Sequence, residues 1–231
     1  MHGCRSKRRE VYRSVRRARP EARLAAIMWA RAAQGSREPS EALPDGVVHR
    51  PGWLAPSEAG VLLARCEREL AFAAHPVRLF GRTHLTPRET AFLAPTGVRY
   101  RYSGHTHRGA GMPAWLDAVR RRLCEETGAE LVSVLATRYR SGADRVGWHA
   151  DDERELGPDP VVAVLSLGAS RDLDFRPRAG PRGRRWRAAL ADGDLLVMGA
   201  GVQQRLEHAL PARAVPGVRV SLSFRPHEGP A

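Results

Sequence analysis

Residues 161–167, VVAVLSL, form a continuous apolar run of strand length between Pro160 and Gly168. Around it the pattern is that of a β protein. Leu131–Tyr139 is rich in β-formers and alternates, and 172–176, 195–198 and 218–224 also read as strands. Gly and Pro clusters separate them at 157–158, 179–183, 199–201 and 216–217. Two amphipathic helices precede Gly128. One spans Pro56–Phe72, with Ser57 as candidate N-cap and Leu62, Leu63, Cys66 and Leu70 on one face. The other spans Pro113–Thr127, with Trp115, Leu116, Val119 and Leu123 facing inward and Gly128 ending it. Helices first and strands later predict an α+β fold, with helices backing an antiparallel sandwich or barrel. There is no internal repeat.

A chain of 231 residues suits one domain plus an appendage. The net charge is +13, and it is unevenly placed. Lys7 and ten arginines against Glu10 and Glu21 give residues 1–37 a net +9, leaving +4 for the rest. Residues 1–45 are therefore expected to be a basic, partly disordered arm and linker, with the folded domain at 46–231. Leu24, Ile27 and Met28 give residues 21–34 the spacing of a short amphipathic helix. Such an arm is either a solvated charge block or an electrostatic contact for nucleic-acid phosphates. No apolar run is long enough to span a membrane, and no secretory signal is evident. Cys4, Cys66 and Cys124 are too scattered for a disulfide framework. A cytoplasmic, reducing setting is expected, nucleoid-associated in a bacterium, and a monomer.

The stretch richest in chemistry is Gly147–Glu153, GWHADDE. On a strand, His149 and Asp151 would point to the same side and reach one ion. His208, in the loop-like segment QRLEHALP, is the candidate third ligand. Two imidazoles and a carboxylate make the facial triad of non-haem iron(II) oxygenases. The bland alternative is a hydrogen-bonded His149–Asp151 pair in a loop, with His208 on the surface. By strand parity Arg219, Ser221, Ser223 and Arg225 share one face, and Val220, Leu222 and Phe224 share the other. A buried arginine is the natural partner for a carboxylate of a 2-oxo dicarboxylic acid. A zinc hydrolase is disfavoured, because HExxH is absent and no HxE accompanies a PCxxC.

Taken in order, LFGR (79–82), Pro87–Arg88, YRYSG (100–104), RYRSGADRVGWHADDE (138–153), VVAVLSLGASRDLDFR (161–176), DGDLLVMG (192–199) and RVSLSFR (219–225) are recognisable. The sequence resembles the AlkB family of Fe(II)- and 2-oxoglutarate-dependent nucleic-acid dioxygenases. The resemblance implies a double-stranded β-helix (jelly-roll) core backed by helices. It also implies Fe(II), 2-oxoglutarate and O2 as cofactor and cosubstrates. His149, Asp151 and His208 correspond to iron ligands. Arg219 corresponds to the arginine on the distal carboxylate of 2-oxoglutarate, Arg225 to one near its metal-side carboxylate, and Tyr139 to a tyrosine bonding the cosubstrate. Thr137 and Ser221 stand where the family usually has Asn, so their reach to the cosubstrate is shorter. On the substrate side, Tyr102 corresponds to the aromatic stacking on a flipped base, and Glu153 to the acid facing the base edge. Arg171 and Arg88 fall in segments near the substrate. Phe80 is either a wedge filling the gap left by flipping or a core residue.

The implied activity is direct-reversal repair: oxidative demethylation of N-alkylated bases such as N1-methyladenine and N3-methylcytosine in DNA or RNA. Hydroxylation of the methyl carbon gives a hemiaminal that releases formaldehyde. The alternatives are a 2-oxoglutarate oxygenase acting on a protein or other non-nucleic-acid substrate, or a catalytically dead nucleic-acid binding module.

Overall fold

The computed structural model describes residues 42–79, 81–102, 105–179 and 183–228, with the side chains of Leu79, Tyr102 and His105 excepted. The basic arm as far as residue 41 and Phe80, read as either a wedge or a core residue, lie outside the described residues. In chain order come β1 (Val47–Arg50), α1 (Pro56–Glu69), β2 (Pro76–Leu79), β3 (Arg82–Leu85), β4 (Glu89–Leu93), β5 (Arg99–Tyr102), β6 (His105–Arg108) and α2 (Ala114–Thr127). Then follow β7 (Ser133–Tyr139), β8 (Val146–His149), β9 (Val162–Gly168), β10 (Arg171–Pro177), β11 (Trp186–Leu190), β12 (Leu195–Met198), α3 (Val202–Arg205), β13 (Leu206–Leu210) and β14 (Arg219–Arg225).

The strands make a larger sheet, β1-β12-β9-β14-β7-β4, and a smaller one, β11-β10-β13-β8. From β7 to β14 the chain alternates between the two sheets, except where the β10–β11 hairpin stays in the smaller one. Their pairings are antiparallel. This winding is the double-stranded β-helix that the resemblance implied. The hairpins β2–β3 and β5–β6 flank it.

Alternation explains the apolar run that opened the reading. Ala163, Leu165 and Leu167 of β9 pack outward with Val220, Leu222 and Phe224 of β14 against Ala59 and Cys66 of α1 and Leu116 and Leu123 of α2. Val162 and Val164 point the other way, into the space between the sheets, with Leu173, Phe175, Leu190 and Leu196. Both faces of β9 are covered, so both must be apolar. Each fully buried leucine contributes about 2 kcal/mol by transfer from water. On β14 only the helix-facing side is apolar; its other side carries Arg219, Ser221, Ser223 and Arg225 between the sheets, as parity predicts.

Several boundaries differ from the sequence reading. Helix α1 is capped at Ala55, not Ser57: Pro56 takes the first helical position, and the Glu58 carboxylate accepts from the Ala55 N–H at 3.2 Å. It stops at Glu69 because Leu70 turns extended (φ −95°, ψ 131°) and drops into the core. Helix α2 ends as expected, with Gly128 in the left-handed region at φ 66°. QRLEHALP is not a loop: Gln204 and Arg205 close α3, and Leu206–Leu210 are β13.

Candidate metal and cosubstrate site

The cavity between the sheets is lined by Thr137 and Tyr139 of β7, His149 at the end of β8, His208 of β13, and Arg219, Ser221, Ser223 and Arg225 of β14. Asp151 and Arg88 complete the polar lining, and Leu135, Val146, Val164, Leu173 and Leu210 supply the apolar part. Cross-strand register places Tyr139 opposite Arg219, Thr137 opposite Ser221, and Leu135 opposite Ser223.

His149, Asp151 and His208 each present a ligand atom, all within 4.8 Å of one another. His208 is the register partner of His149 across β13 and β8. Asp151 lies just past the end of β8 rather than on it, so strand parity is not what aims it. Its N–H donates to Gln203 Oε1 at 3.0 Å, and Arg225 Nη2 donates to its Oδ1 at 2.7 Å. The other oxygen, Oδ2, stands 3.9 Å from His208 Nε2. His149 Nδ1 lies 2.8 Å from the Gly147 carbonyl, which can only accept. Nδ1 therefore carries the proton, and the Nε2 lone pair is left for an ion.

The electrostatics agree. Burial, with His149 next in weight, pushes His208 down to about 3, against the pull of Asp151, so its ring is neutral at neutral pH. For Asp151 burial acts upward, but Arg225, His208 and His149 outweigh it and hold the carboxyl below its usual range. Two imidazoles and one carboxylate form the donor set suited to non-haem iron(II).

Behind the triad, Arg219 is 1% exposed. Its Nε donates to Ser166 Oγ at 3.2 Å, while Nη1 has no partner among the described residues. Burial lowers it to about 10, with Arg171 contributing against Tyr139, so it remains a cation at neutral pH. A buried, partly unpartnered guanidinium on the wall of a polar cavity is costly unless an anion completes it. A dicarboxylic acid chelating the metal supplies that anion, so the residues fit both Fe(II) and 2-oxoglutarate.

The remaining expected residues divide. Arg225 reaches the cavity, but its bonds run to Asp151 and, from Nη1, to the Tyr100 hydroxyl at 2.6 Å. Glu153 does not line the cavity; it sits behind Tyr100, with which it shares a hydrogen bond. Burial raises its carboxyl, Asp151 adds to that, and Arg225 opposes it. Its Oε2 has no partner among the described residues. Arg171 departs from the expected place near the substrate. It is buried away from the cavity lining, and its guanidinium donates to the carbonyls of Ser141, Asp144 and Pro211. Tyr102 lies on the β5–β6 hairpin, but its side chain is outside the described residues.

Four supporting residues were missed from sequence: Gln203, Gly147, Tyr100 and Ser166. Only Ser166 left a signal, as the lone hydroxyl in VVAVLSL, at the parity of Val162 and Val164.

This fold and donor set define the class of 2-oxoglutarate- and iron-dependent oxygenases, and the model of the 2OG-Fe(II) oxygenase superfamily matches residues 46–225. The DNA oxidative demethylase ALKBH2 of Mus musculus is 38% identical over 179 residues, covering 73% of this chain and 75% of that protein. The Homo sapiens protein of the same name is 36% identical over 179 residues, covering 73% and 69%. A 2OG-Fe(II) oxygenase family oxidoreductase from Burkholderia pseudomallei has the same fold: TM-score 0.59, 15% identity, covering 89% of this chain and 92% of that one. The chain belongs to the AlkB family of the 2OG-Fe(II) oxygenase superfamily. It is a dioxygenase using Fe(II) and 2-oxoglutarate, and His149, Asp151 and His208 can hold the iron.

Proposed function

We propose that this enzyme oxidatively removes methyl groups from base nitrogens of DNA, acting on N1-methyladenine and N3-methylcytosine. The observation that carries the reading is the pairing of an intact His149–Asp151–His208 cluster with the buried Arg219, in a chain 38% identical over 179 residues to a DNA oxidative demethylase.

In this reading, Fe(II) with 2-oxoglutarate supplies the oxidising power when bound and activates O2 toward a methyl C–H bond. The chain does the rest. His149 Nε2, His208 and Asp151 Oδ2 would hold the metal. Arg225 restrains the other Asp151 oxygen and so fixes the orientation of the carboxylate. Arg219 grips the distal carboxylate of 2-oxoglutarate, with Tyr139 and Thr137 beside it and Ser221 opposite Thr137. The apolar lining keeps bulk water from the oxidising centre.

Both proposed lesions carry a positive charge and cannot pair normally, which makes them cheap to extrude. Glu153, held by Tyr100, gives the base side of the site an acid that favours a cation. Tyr102 stacks on the flipped base, a contact worth about 1–3 kcal/mol. Phe80 fills the vacated stack, the basic arm within residues 1–45 supplies charge toward the phosphates, and the protein acts as a monomer. An intracellular, reducing setting fits the free thiols Cys66 and Cys124.

The test is a panel of N1-methyladenine and N3-methylcytosine oligonucleotides, single- and double-stranded in DNA and RNA, against methylated peptides. Mass spectrometry follows loss of the methyl group under Fe(II) and 2-oxoglutarate. Demethylated oligonucleotide with untouched peptide is expected. The reverse pattern would move the enzyme to a protein substrate, and no turnover of either would leave a binding module.

A further inference from the structure

We propose that Arg171 is a positioning residue for the metal centre, acting through the two loops that flank the strands bearing the histidine ligands; the proposal rests on the triad being that centre. The two imidazoles are brought together by a weak element. β8 is the edge strand of the smaller sheet, and its register with β13 consists of His208 opposite His149 and Leu210 opposite Val146, with an irregularity between them. A four-residue edge strand held by so short and broken a ladder fixes its register poorly.

Arg171 shores up the far end of that ladder. It stands at the start of β10, 3% exposed. Nη1 donates to the Ser141 carbonyl at 3.2 Å, and Nη2 to those of Asp144 at 2.9 Å and Pro211 at 2.7 Å. Ser141 and Asp144 belong to the loop feeding β8; Pro211 follows β13 directly. One planar cation thus ties the entry of one ligand-bearing strand to the exit of the other, through charge-assisted bonds.

The same junction is stitched independently. Gly142 N–H donates to the Val215 carbonyl at 3.0 Å, and Arg213 N–H donates to the Gly142 carbonyl at 2.8 Å. The loops approach so closely that a Cβ on Gly142 would lie 2.1 Å from the Arg213 oxygen and 2.6 Å from that of Val215. Asp144 is anchored in turn by the Arg140 guanidinium at 2.8 and 2.9 Å. Behind Tyr139, on the cavity wall, the Arg171 cation also lies 5.8 Å from the ring centroid. None of these bonds involves His149, Asp151, His208 or Arg219, so Arg171 acts through others.

The experiment uses the full chain and Co(II) as the metal probe. Wild type, Arg171→Met, Arg171→Lys and Gly142→Ala are compared by calorimetric Co(II) titration, thermal unfolding without metal, and steady-state kinetics with Fe(II). Removing outer-shell support typically costs metal affinity 10- to 100-fold. Arg171→Met is expected to weaken Co(II) binding on the order of 10-fold and to raise KM for 2-oxoglutarate more than it lowers kcat. Arg171→Lys is expected to stay close to Arg171→Met, since one ammonium cannot span the three carbonyls. Gly142→Ala pushes the same loops apart with Arg171 in place and is expected to weaken Co(II) binding likewise, which decides the matter if the Arg171 variants do not fold. Folded variants with lowered melting temperature but wild-type Co(II) affinity would overturn the inference and leave Arg171 purely structural. Wild type failing to bind Co(II) would overturn the metal reading and this inference with it, whereas unchanged affinity in the variants overturns this inference alone.

Discussion

His208 and His149 are register partners across β13 and β8, with ring centroids 4.2 Å apart and ring planes at 52°. The two nitrogen donors are therefore set by strand pairing, whereas the carboxylate is set by side chains. Asp151 is held by Gln203 through its backbone and by Arg225 through its carboxylate.

That difference makes the Asp151 substitutions unequal. Asp151→Ala removes a ligand and also takes from the buried Arg225 guanidinium its carboxylate partner, leaving the Tyr100 hydroxyl, a loss of roughly 3–5 kcal/mol. Asp151→Asn keeps the shape and one acceptor for Arg225. Both are expected to lose Fe(II) binding and turnover, with Asp151→Ala alone showing a large drop in the urea midpoint. A wild-type midpoint for Asp151→Ala would refute the Arg225 pairing.

Arg219 is expected to act on cosubstrate binding. Losing a charge-assisted hydrogen bond costs about 1.5–3 kcal/mol, so Arg219→Met should raise KM for 2-oxoglutarate roughly 10- to 100-fold. Saturating 2-oxoglutarate should restore most of kcat. Steady-state kinetics at varied 2-oxoglutarate check this; an unchanged KM would place the carboxylate elsewhere.

Glu153→Gln keeps the hydrogen bond to Tyr100 and replaces the acid on the proposed base side with a neutral amide. Its kcat/KM on N3-methylcytosine oligonucleotides should fall about 10-fold, with KM for 2-oxoglutarate unchanged. Equal losses in both parameters would show damage to the cosubstrate site instead.

Beside the more deeply buried His208, His227 adds to the pH dependence of the metal-free protein. It is 6% exposed, and neither ring nitrogen has a partner among the described residues. Burial lowers its pKa, against Glu155, from the usual value of 6.5. A histidine with a depressed folded pKa contributes stability that is present above about 6.5 and lost as the pH falls through the folded value. The metal-free protein should lose stability on acidification below about pH 6.5, and His227→Phe should flatten that slope. Denaturant midpoints at a series of pH values decide it; a parallel slope in the variant would mean the ring is not held neutral.

Deleting residues 1–37 tests the basic arm. For each phosphate that the truncated chain no longer neutralises, the slope of log K against log salt should fall by about 0.9. Fluorescence anisotropy with a labelled duplex at several salt concentrations measures it, and an identical slope would show that the arm does not engage DNA.

What could be read from the residues was whatever parity or periodicity exposes. The polar side of β14 was visible because Arg219, Ser221, Ser223 and Arg225 alternate with Val220, Leu222 and Phe224. β8 and β13 were not. VGWH is a short edge strand holding Gly147, and LEHAL is a short strand directly after a helical turn, so neither gives a β signal of useful length. The loop reading of His208 followed from that. Arg225 bonding Asp151 across 74 residues and Arg171 binding three backbone carbonyls are tertiary events that leave no local pattern. Ser57 looked like a cap by type, but Pro56 is better suited to the first helical position and moved the start upstream.

The central claim is that three side chains hold one metal that also chelates 2-oxoglutarate beside Arg219. Anaerobic Fe(II) titration of the protein with 2-oxoglutarate, followed by the visible charge-transfer band of the ternary complex, addresses it directly. One Fe(II) per chain is predicted for wild type, with the band absent in His208→Ala and Asp151→Asn. A band that persists at full intensity in either variant would contradict it.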